Sequence, residues 1–393
     1  MKHIDLLIIG AGPAGLSTAL HLLQVNPNWG NRMLVIEKAV HPRDKLCGGG
    51  LTPLGVGGLE KLGFAFPLPL PQTPIDTARF LYGGRAFHVK GNPRFTVFNR
   101  IEFDQYLAQT ARGRGVRIHE NEAALELEVT PGGIMVTTTR DIYLAKAVVG
   151  ADGSKGITRR MMREMYPRKS TDSQRIARTL EVISPARQDA AQSSERGAVF
   201  DFSATRQHLQ GYAWDFPVYV NESIHSKRGV YDARTSPRRP KANLTAALRK
   251  TPGKDGTYAE AIGLKGHPLH WFHPNNRFST PRILLVGDAA GVDSLFGEGI
   301  GPSLGYGQTA AQELEIAFRQ DNFSFKQYRR HILISPLGWY LLWRWAAARA
   351  AYRLSGHPWF MHILWTTAQV VSSGYNAVFV NKKHGSKIQP VIQ

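Results

Sequence analysis

The chain has 393 residues, of which 42% are hydrophobic and 20% charged, and this composition excludes a wholly disordered protein. The single cysteine, Cys47, excludes an internal disulfide framework and a multi-cysteine metal site. With 49 Lys and Arg residues against 30 Asp and Glu residues, the formal net charge is +19, which is compatible with binding to nucleic acid or to an anionic membrane surface.

The first 37 residues predict a strand, a glycine turn, a helix and a second strand. Residues 4–9 and Met33–Ile36 are short apolar runs typical of buried parallel strands, and residues 16–25 between them have helical spacing. The turn follows the pattern G-x-G-x-x-G, and an acidic residue ends the second strand. This arrangement predicts dinucleotide binding, with the pyrophosphate at the helix N-terminus and the acid on the ribose. The predicted binding residues are Gly10, Gly12, Pro13, Ala14, Gly15, Glu37 and Lys38.

After residue 37, further segments with helices and buried parallel strands are interrupted by one long segment with a different pattern. Residues 41–60 predict a glycine-rich loop, and a helix is expected to start near Asn99. Further strands are expected within residues 115–150, and residues 281–286 restore a buried parallel strand. Between them, residues 165–275 alternate polar and aromatic residues, which indicates a mainly antiparallel sheet.

These patterns predict an α/β fold: a Rossmann-like dinucleotide-binding domain, a mainly antiparallel β-sheet substrate domain and a C-terminal helical segment. The first domain is expected to be discontinuous. The predicted boundaries are 1–75, 99–162 and 276–331 for the binding domain, 76–98 and 163–275 for the substrate domain, and 332–393 for the C-terminal segment.

The C-terminal segment concentrates the positive charge. Asp321 is the last acidic residue, and the residues after it contain nine Lys or Arg and five of the eight tryptophans. Mixed aromatic, aliphatic and basic residues favour a membrane surface over nucleic acid. The N-terminus lacks the long apolar stretch of a signal peptide, which predicts a cytoplasmic protein, peripheral on the inner face of the membrane.

Two further motifs resemble those of the flavoproteins with the p-hydroxybenzoate-hydroxylase-type FAD fold. The sequence Gly150-Ala151-Asp152-Gly153, followed by Arg159, matches that family's second signature, although Gly156 replaces a serine often found there. The segment from Gly287-Asp288 to Gly297, Gly299 and Ile300 matches the third. The resemblance implies an FAD cofactor. It also implies that Asp288 contacts the ribityl chain, that Gly297 and Gly299 lie near the flavin ring, and that Arg100 lies near the pyrophosphate.

The segments Cys47-Gly48-Gly49-Gly50-Leu51 and Tyr212-Ala213-Trp214-Asp215-Phe216-Pro217 look like two motifs of geranylgeranyl reductases. Members of that family are FAD enzymes that hydrogenate isolated carbon–carbon double bonds in polyprenyl chains. The resemblance implies an isoprenoid or lipid substrate. It implies that Cys47, Gly48 and Gly49 lie at the flavin face and that Cys47, Tyr212 and Trp214 are catalytic.

Several alternatives stay open from the sequence. The same scaffold serves FAD-dependent monooxygenases and halogenases that act on aromatic or lipid substrates, and a non-catalytic membrane flavoprotein is a third interpretation. The electron donor is expected to be NAD(P)H or a ferredoxin-like protein. The cluster His267, His270 and His273 has no acidic neighbour, so no metal site is predicted. The sequence does not indicate an oligomeric state.

Overall fold

A computed structural model describes residues 1–167, 175–185, 197–250 and 263–385 of the chain. Its described strands are β1 (Lys2–Ile9), β2 (Met33–Ile36), β3 (Gly50–Leu51), β4 (Gln72–Tyr82), β5 (Arg85–Phe98), β6 (Ile118–His119), β7 (Ala124–Thr130), β8 (Gly133–Thr138), β9 (Ile142–Gly150), β10 (Ile176–Pro185), β11 (Gly197–Asp201), β12 (Gly211–Val220), β13 (Ser223–Asp232), β14 (Lys265–His270), β15 (Ser279–Thr280) and β16 (Ile283–Leu285). Its described α-helices are α1 (Pro13–Val25), α2 (Trp29–Arg32), α3 (Pro53–Lys61), α4 (Arg100–Gly113), α5 (Ile157–Met165), α6 (Leu244–Lys250), α7 (Ile300–Gln320), α8 (Tyr328–Ile334), α9 (Pro336–Leu354) and α10 (Pro358–Gly385).

The first sheet is the parallel layer predicted from the apolar runs. Its main strand order is β15-β16-β9-β1-β2-β6, in which β16, β9, β1, β2 and β6 are mutually parallel. β15 pairs antiparallel with β16, and β7 and β8 join antiparallel through β9. The last four residues of β1 and all of β2 are buried, as expected for strands covered on both faces. Helices α1, α4 and α7 contribute to the same hydrophobic core. The strands therefore bring their carboxyl ends, and the turns that follow them, to one edge.

The second sheet follows the order β14-β10-β13-β12-β11-β4-β5-β3. Its pairings are antiparallel except for β11 with β4, which is parallel. The prediction of an α/β fold with a mainly antiparallel second sheet and a helical C-terminal segment is confirmed. Within the range assigned to the binding domain, the short strand β3 pairs with β5 and so belongs to the second sheet.

The expectation of a loop throughout residues 41–60 is wrong. Helix α3 occupies Pro53–Lys61, with a proline in its first turn and Leu59 fully buried. Its glycines allow close packing, since a Cβ on Gly58 would lie 3.0 Å from the Leu304 side chain of α7. The run of glycines suggested a loop, whereas Gly55 and Gly58 lie within a helix and face α7.

The C-terminal helices pack on helices α7 and α8 and on the second sheet. Pro336 follows Ser335, whose side chain caps α9 by accepting a hydrogen bond from the Gly338 amide at 3.1 Å. Helix α10 runs along β5, where Gln369 donates to the Ala86 carbonyl at 3.0 Å and Asn376 donates to the His88 carbonyl at 2.8 Å. These bonds satisfy polar backbone groups along β5. Within the described ranges, none of the helices has the length and hydropathy needed to cross a bilayer.

The contact between α1 and α7 generates a stability prediction. A Cβ on Gly307 would lie 2.4 Å from Ser17 Oγ and 2.7 Å from the Thr18 amide nitrogen. We expect Gly307→Ala to destabilise the protein by about 1–3 kcal/mol, because the two helices must move apart. The measurement is the midpoint of urea denaturation.

Gly374→Ala is the matched control. Gly374 is exposed within α10, and a Cβ there would meet no atom within 4 Å. Alanine should leave stability unchanged or raise it by up to about 1 kcal/mol through its helix propensity. Equal midpoints for Gly307→Ala and the unaltered protein would contradict the close packing of α1 on α7.

Candidate active site

The glycine turn lies at the carboxyl end of β1, where α1 begins. Gly10 has φ +111°, and a Cβ there would lie 2.5 Å from the Ala151 carbonyl oxygen, so this position requires glycine. Gly12 is the N-cap of α1 and offers no capping side chain, while Pro13 starts the helix. The first amides of α1 are therefore available to an anionic group.

Glu37, the residue that follows β2, stabilises this turn. Its carboxylate is buried and accepts hydrogen bonds from the Ala11 amide at 2.9 Å and the Ala39 amide at 3.2 Å. Arg43 lies beside both features: its Nη2 atom would be 3.3 Å from a Cβ on Gly12, and its Nε is 3.8 Å from Glu37 Oε2. Lys38, by contrast, is exposed. Arg43 is thus a cation at the turn that motif reasoning missed.

The second signature forms a tight turn after β9. Asp152 accepts hydrogen bonds from the Thr158 amide at 2.8 Å and the Thr158 hydroxyl at 2.9 Å, which positions the start of α5. A Cβ at Gly156 would lie 2.0 Å from the Asp152 side-chain carbon. The glycine in place of the family's serine is therefore required by the position of this carboxyl group. Ala151 and Gly153 flank Asp152 at the same edge of the sheet.

The third signature begins at Gly287, whose φ of +59° and close approach to Ala14 bring it against the glycine turn. Asp288 follows it, is buried, and lies 3.6 Å from the ammonium group of Lys45. Gly297 has φ +70°, and a Cβ there would contact the Tyr231 ring at 2.8 Å. Pro13, Asp288, Gly297, Gly299 and Ile300 all line one cavity.

That cavity has a volume of about 460 Å³ and is lined both by residues at the edge of the first sheet and by residues of the second sheet. One wall is the loop Cys47–Gly50, and the opposite wall is the aromatic face of the second sheet. The aromatic lining residues are Phe80, Phe95, Phe200, Tyr212, Trp214, Phe216, Tyr231, Phe296 and Tyr340. Tyr212, Trp214 and Phe216 alternate along β12 and share one face of it, because all three line this cavity.

The loop Cys47–Gly50 is held against the second sheet. A Cβ on Gly49, which has φ +77°, would lie 2.1 Å from the Phe98 carbonyl oxygen. The buried Lys227 donates from Nζ to the Cys47 carbonyl at 3.2 Å. Gly48 faces the aromatic wall, since its Cβ would lie 3.6 Å from Trp214 Nε1. The structure therefore brings Cys47 and Trp214 to one cavity.

Arg100 lines the same cavity. Its guanidinium is buried and makes two hydrogen bonds to Asp104, at 2.7 and 2.8 Å. Burial works against the charge on Arg100, but the Asp104 carboxylate and the Cys47 side chain raise its pKa overall. Asp104 also binds Arg43 Nη2 at 3.0 Å. This carboxylate thereby connects the cation at the glycine turn with the cation beside Cys47.

Asp293, in loop 293–298, and its partner Arg344 are the main features that sequence reasoning missed. The buried Asp293 carboxylate accepts from the Leu295 amide at 2.7 Å and the Phe296 amide at 2.9 Å, and it pairs with Arg344 of α9 at 2.8 Å. The Tyr212 hydroxyl donates to the Phe296 carbonyl at 2.6 Å. Burial raises the pKa of Tyr212. The one available signal was an arginine interrupting an apolar helix.

Tyr231 and Tyr352 complete the attachment of this loop. The Tyr231 hydroxyl donates to the Ser294 carbonyl at 3.0 Å, and the Tyr352 hydroxyl donates to the Leu295 carbonyl. Three successive carbonyls, including that of Phe296, are thus bound by tyrosines from β12, β13 and α9. The tyrosines fix the loop between the second sheet and the C-terminal segment.

The three histidines of the HPLHWFHP segment separate in space. His267 lines the cavity, His270 is buried with a pKa lowered by burial, and the His273 ring contacts Trp345. Across the described part of the chain, no three His, Cys, Asp or Glu side chains are grouped in a way that would hold a metal ion.

The residues at this edge fit an FAD molecule. An uncapped helix N-terminus, two glycines that approach neighbouring backbone and a nearby guanidinium suit a pyrophosphate. The cavity continues from Pro13 and Asp288 to the aromatic wall, which suits a flat aromatic ring. Farther along the cavity, Trp214 Nε1 is buried and has no hydrogen-bond partner within the described residues, so a second molecule bound beyond the cofactor can supply the missing acceptor.

Comparisons with known proteins agree with this geometry. Residues 3–300 match the family described as the FAD binding domain. The chain is 26% identical over 330 residues to the menaquinone reductase of Mycolicibacterium smegmatis, covering 78% of this chain and 75% of that protein. It is 24% identical over 344 residues to digeranylgeranylglycerophospholipid reductase 3 of Methanosphaera stadtmanae, covering 84% of this chain and 82% of that protein.

Two solved structures share the fold. A geranylgeranyl bacteriochlorophyll reductase-like protein from Thermoplasma acidophilum superimposes with a TM-score of 0.72 at 20% identity, over 91% of this chain and 88% of that one. PqsL, a probable FAD-dependent monooxygenase from Pseudomonas aeruginosa, superimposes with a TM-score of 0.57 at 17% identity, over 96% of this chain and 100% of that one.

The loop Cys47–Gly50 yields a site prediction. We expect Gly49→Ala to destabilise the protein by about 1–3 kcal/mol and to lower its cofactor content, because alanine is strained at positive φ and its Cβ collides with backbone. Thermal denaturation and visible absorbance of the purified protein measure the two effects. Gly50→Ala is the control, since the nearest atom to its Cβ would be the Phe95 ring at 3.4 Å. Equal cofactor content in both variants would contradict the role given to Gly49.

Proposed function

The chain belongs to the FAD-binding-domain family, and from this premise we propose that it is a reductase that hydrogenates isolated carbon–carbon double bonds of an isoprenoid chain. The observation that carries the proposal is the aromatic cavity that continues directly from the cofactor turn, with Cys47 on one wall and Tyr212 and Trp214 on the other. The likeness to menaquinone and digeranylgeranylglycerophospholipid reductases supports it.

The chemistry of an isolated alkene explains why such a lining is needed. No adjacent carbonyl stabilises a carbanion, so the double bond is reduced by adding a proton and a hydride, with positive charge developing on carbon. Reduced FAD supplies the hydride when it is bound. Aromatic faces at Tyr212 and Trp214 stabilise developing positive charge by about 0.5–2 kcal/mol. Their apolar surroundings exclude water, which would otherwise react with the cation.

The three proposed catalytic residues are Tyr212 and Trp214, to which we assign the same role, and Cys47, to which we assign another. Tyr212 is an unsuitable proton donor because its hydroxyl already donates to the Phe296 carbonyl and burial raises its pKa. We therefore propose that Tyr212 acts through its ring, as Trp214 does. Cys47, whose Sγ accepts from the Gly49 amide at 3.4 Å, shapes the cavity floor beside Arg100. The electron donor is proposed to be NAD(P)H or a ferredoxin-like protein.

Anaerobic turnover tests the function. We expect the dithionite-reduced holoprotein to add two hydrogens per double bond to a geranylgeranyl phospholipid or a prenylated quinone, as measured by mass spectrometry. A product that forms only with oxygen would instead support a monooxygenase, the enzyme class named for the structural neighbour PqsL. Bound FAD without turnover on either substrate class would support a non-catalytic flavoprotein.

Trp214→Ala is the accompanying variant. Removal of the indole should lower turnover by about 5- to 30-fold, because about 1–2 kcal/mol of cation stabilisation is lost. FAD content should stay at the unaltered level. Loss of FAD in this variant would identify Trp214 as a residue of the cofactor site or core, contrary to the role proposed here.

We also propose that the C-terminal helices bind the inner face of the membrane that holds the substrate. Trp339 and Trp343, four residues apart on α9, are 68% and 54% exposed, and Trp359 on α10 is 58% exposed. Exposed Arg349 and Arg353 add positive charge on α9. Large apolar side chains beside cations are typical of interfacial helices.

Vesicle flotation tests the membrane proposal. The protein should bind anionic vesicles more strongly than neutral ones, and replacing Trp339 and Trp343 by serine should weaken that binding. Leu125→Ser is the matched control, because Leu125 is also about half exposed but lies on β7 of the first sheet. Equal binding to both vesicle types, or equal losses in the control, would overturn the proposal.

A further inference from the structure

Three segments that are distant in sequence meet at the carboxyl group of Glu298. The Thr52 hydroxyl, preceding α3, donates to Oε1 at 2.5 Å. The Tyr340 hydroxyl, on α9, donates to Oε2. Glu298, Thr52 and Tyr340 all line the cavity, and Glu298 lies between Gly297 and Gly299 of the third flavin signature. The carboxyl group therefore lies where the cofactor loop, the cavity and the C-terminal segment come together.

The charges around Glu298 leave its neutral form accessible. Arg344, the cation that acts on Glu298, is already paired with Asp293 at 2.8 Å, and the Asp293 carboxylate is fully buried. Burial of Glu298 raises its pKa, and the negative charge of Asp293 adds to that effect. The hydrogen bonds from Thr52 and Tyr340 and the charge of Arg344 oppose it, but the pKa is raised overall.

The other acidic groups near the cavity are less suited to give up a proton there. Among the residues described as lining the cavity, the carboxyl groups belong to Asp288 and Glu298. Asp288 faces the ammonium group of Lys45 at 3.6 Å and belongs to the cofactor signature. Burial raises the pKa of Glu181 to about 7, but this side chain is not part of the lining. Tyr212 is committed to the Phe296 carbonyl.

We propose that Glu298 is the proton donor to the double bond, an inference that rests on the proposed function. The O–H bond of the Glu298 carboxyl breaks, and its proton forms a C–H bond at one alkene carbon. Hydride from reduced FAD, with its two electrons, forms the C–H bond at the other carbon. The alkene is reduced and FAD is oxidised, and the Glu298 carboxylate then takes a proton from water.

Infrared spectroscopy of the substrate-free holoprotein tests the protonation state. A carbonyl stretching component from protonated Glu298 should be present and should disappear as the pH rises through the pKa of Glu298. Other buried carboxyl groups, such as that of Glu181, add components of their own. Glu298→Gln should lose the Glu298 component, whereas Glu60→Gln, which changes an exposed carboxyl on α3, should keep it. Identical carboxylic acid bands in the unaltered protein and in Glu298→Gln overturn the proposal.

Turnover of the same holoproteins tests the donor role. Glutamine keeps the size of the side chain, so FAD content and the denaturation midpoint should stay unchanged, while turnover falls by about 10²–10⁴-fold, the usual contribution of a general acid. Because the acid form is required, the rate of the unaltered protein should fall at alkaline pH, and Glu298→Gln should lack that dependence.

The outcomes separate this inference from the proposed function. Equal turnover by the unaltered protein and Glu298→Gln overturns the donor role and leaves the reductase function standing. Loss of turnover with loss of FAD also overturns it, because Glu298 would then hold the cofactor loop. An unaltered protein that reduces no prenyl double bond overturns the reductase function, and the donor role with it, even where the infrared band is present.

Discussion

The cavity depends on the interactions of the buried Asp293 carboxylate with Arg344 and with two backbone amides. This carboxylate fixes loop 293–298 through two backbone amides and neutralises Arg344 of α9 at 2.8 Å. The same loop presents its carbonyls to tyrosines of the second sheet and α9. A single anion thereby holds together the cofactor loop, the aromatic wall and the C-terminal segment. Because the carboxylate is out of water, loss of its partner would leave an uncompensated buried charge, which costs about 3–5 kcal/mol.

The parts of the fold that the sequence predicts are those encoded by local constraints. Met33–Ile36 is a strand with the predicted bounds, and Asn99 caps α4 by accepting from the Ile101 amide. Gly10 and Gly49 occupy positions where a Cβ would collide with backbone, so their identity carries structural information without any knowledge of distant contacts. The motifs built on such glycines therefore predict the cofactor edge of the first sheet.

The missed features depend on contacts between distant residues. The glycines within α3 allow packing on α7, which the local pattern cannot distinguish from a flexible loop. The parallel pairing of β11 with β4 joins segments more than a hundred residues apart. Arg344 counts toward the positive tail in a charge sum, yet it is paired and largely buried. Charge counts report neither burial nor partners, so part of the apparent surface charge belongs to the cavity.

The same pairing explains how an acid and an aromatic wall coexist in one cavity. An isolated guanidinium beside Glu298 would favour its carboxylate form, which is useless for protonating an alkene. Because Arg344 is compensated by Asp293, its effect on Glu298 is reduced, and burial dominates. In the proposed reaction, positive charge on the substrate would then be stabilised by the π-faces of the aromatic rings rather than by a fixed anion. A carboxylate would appear next to that charge only after Glu298 had given up its proton, at the moment when opposite charges favour each other most.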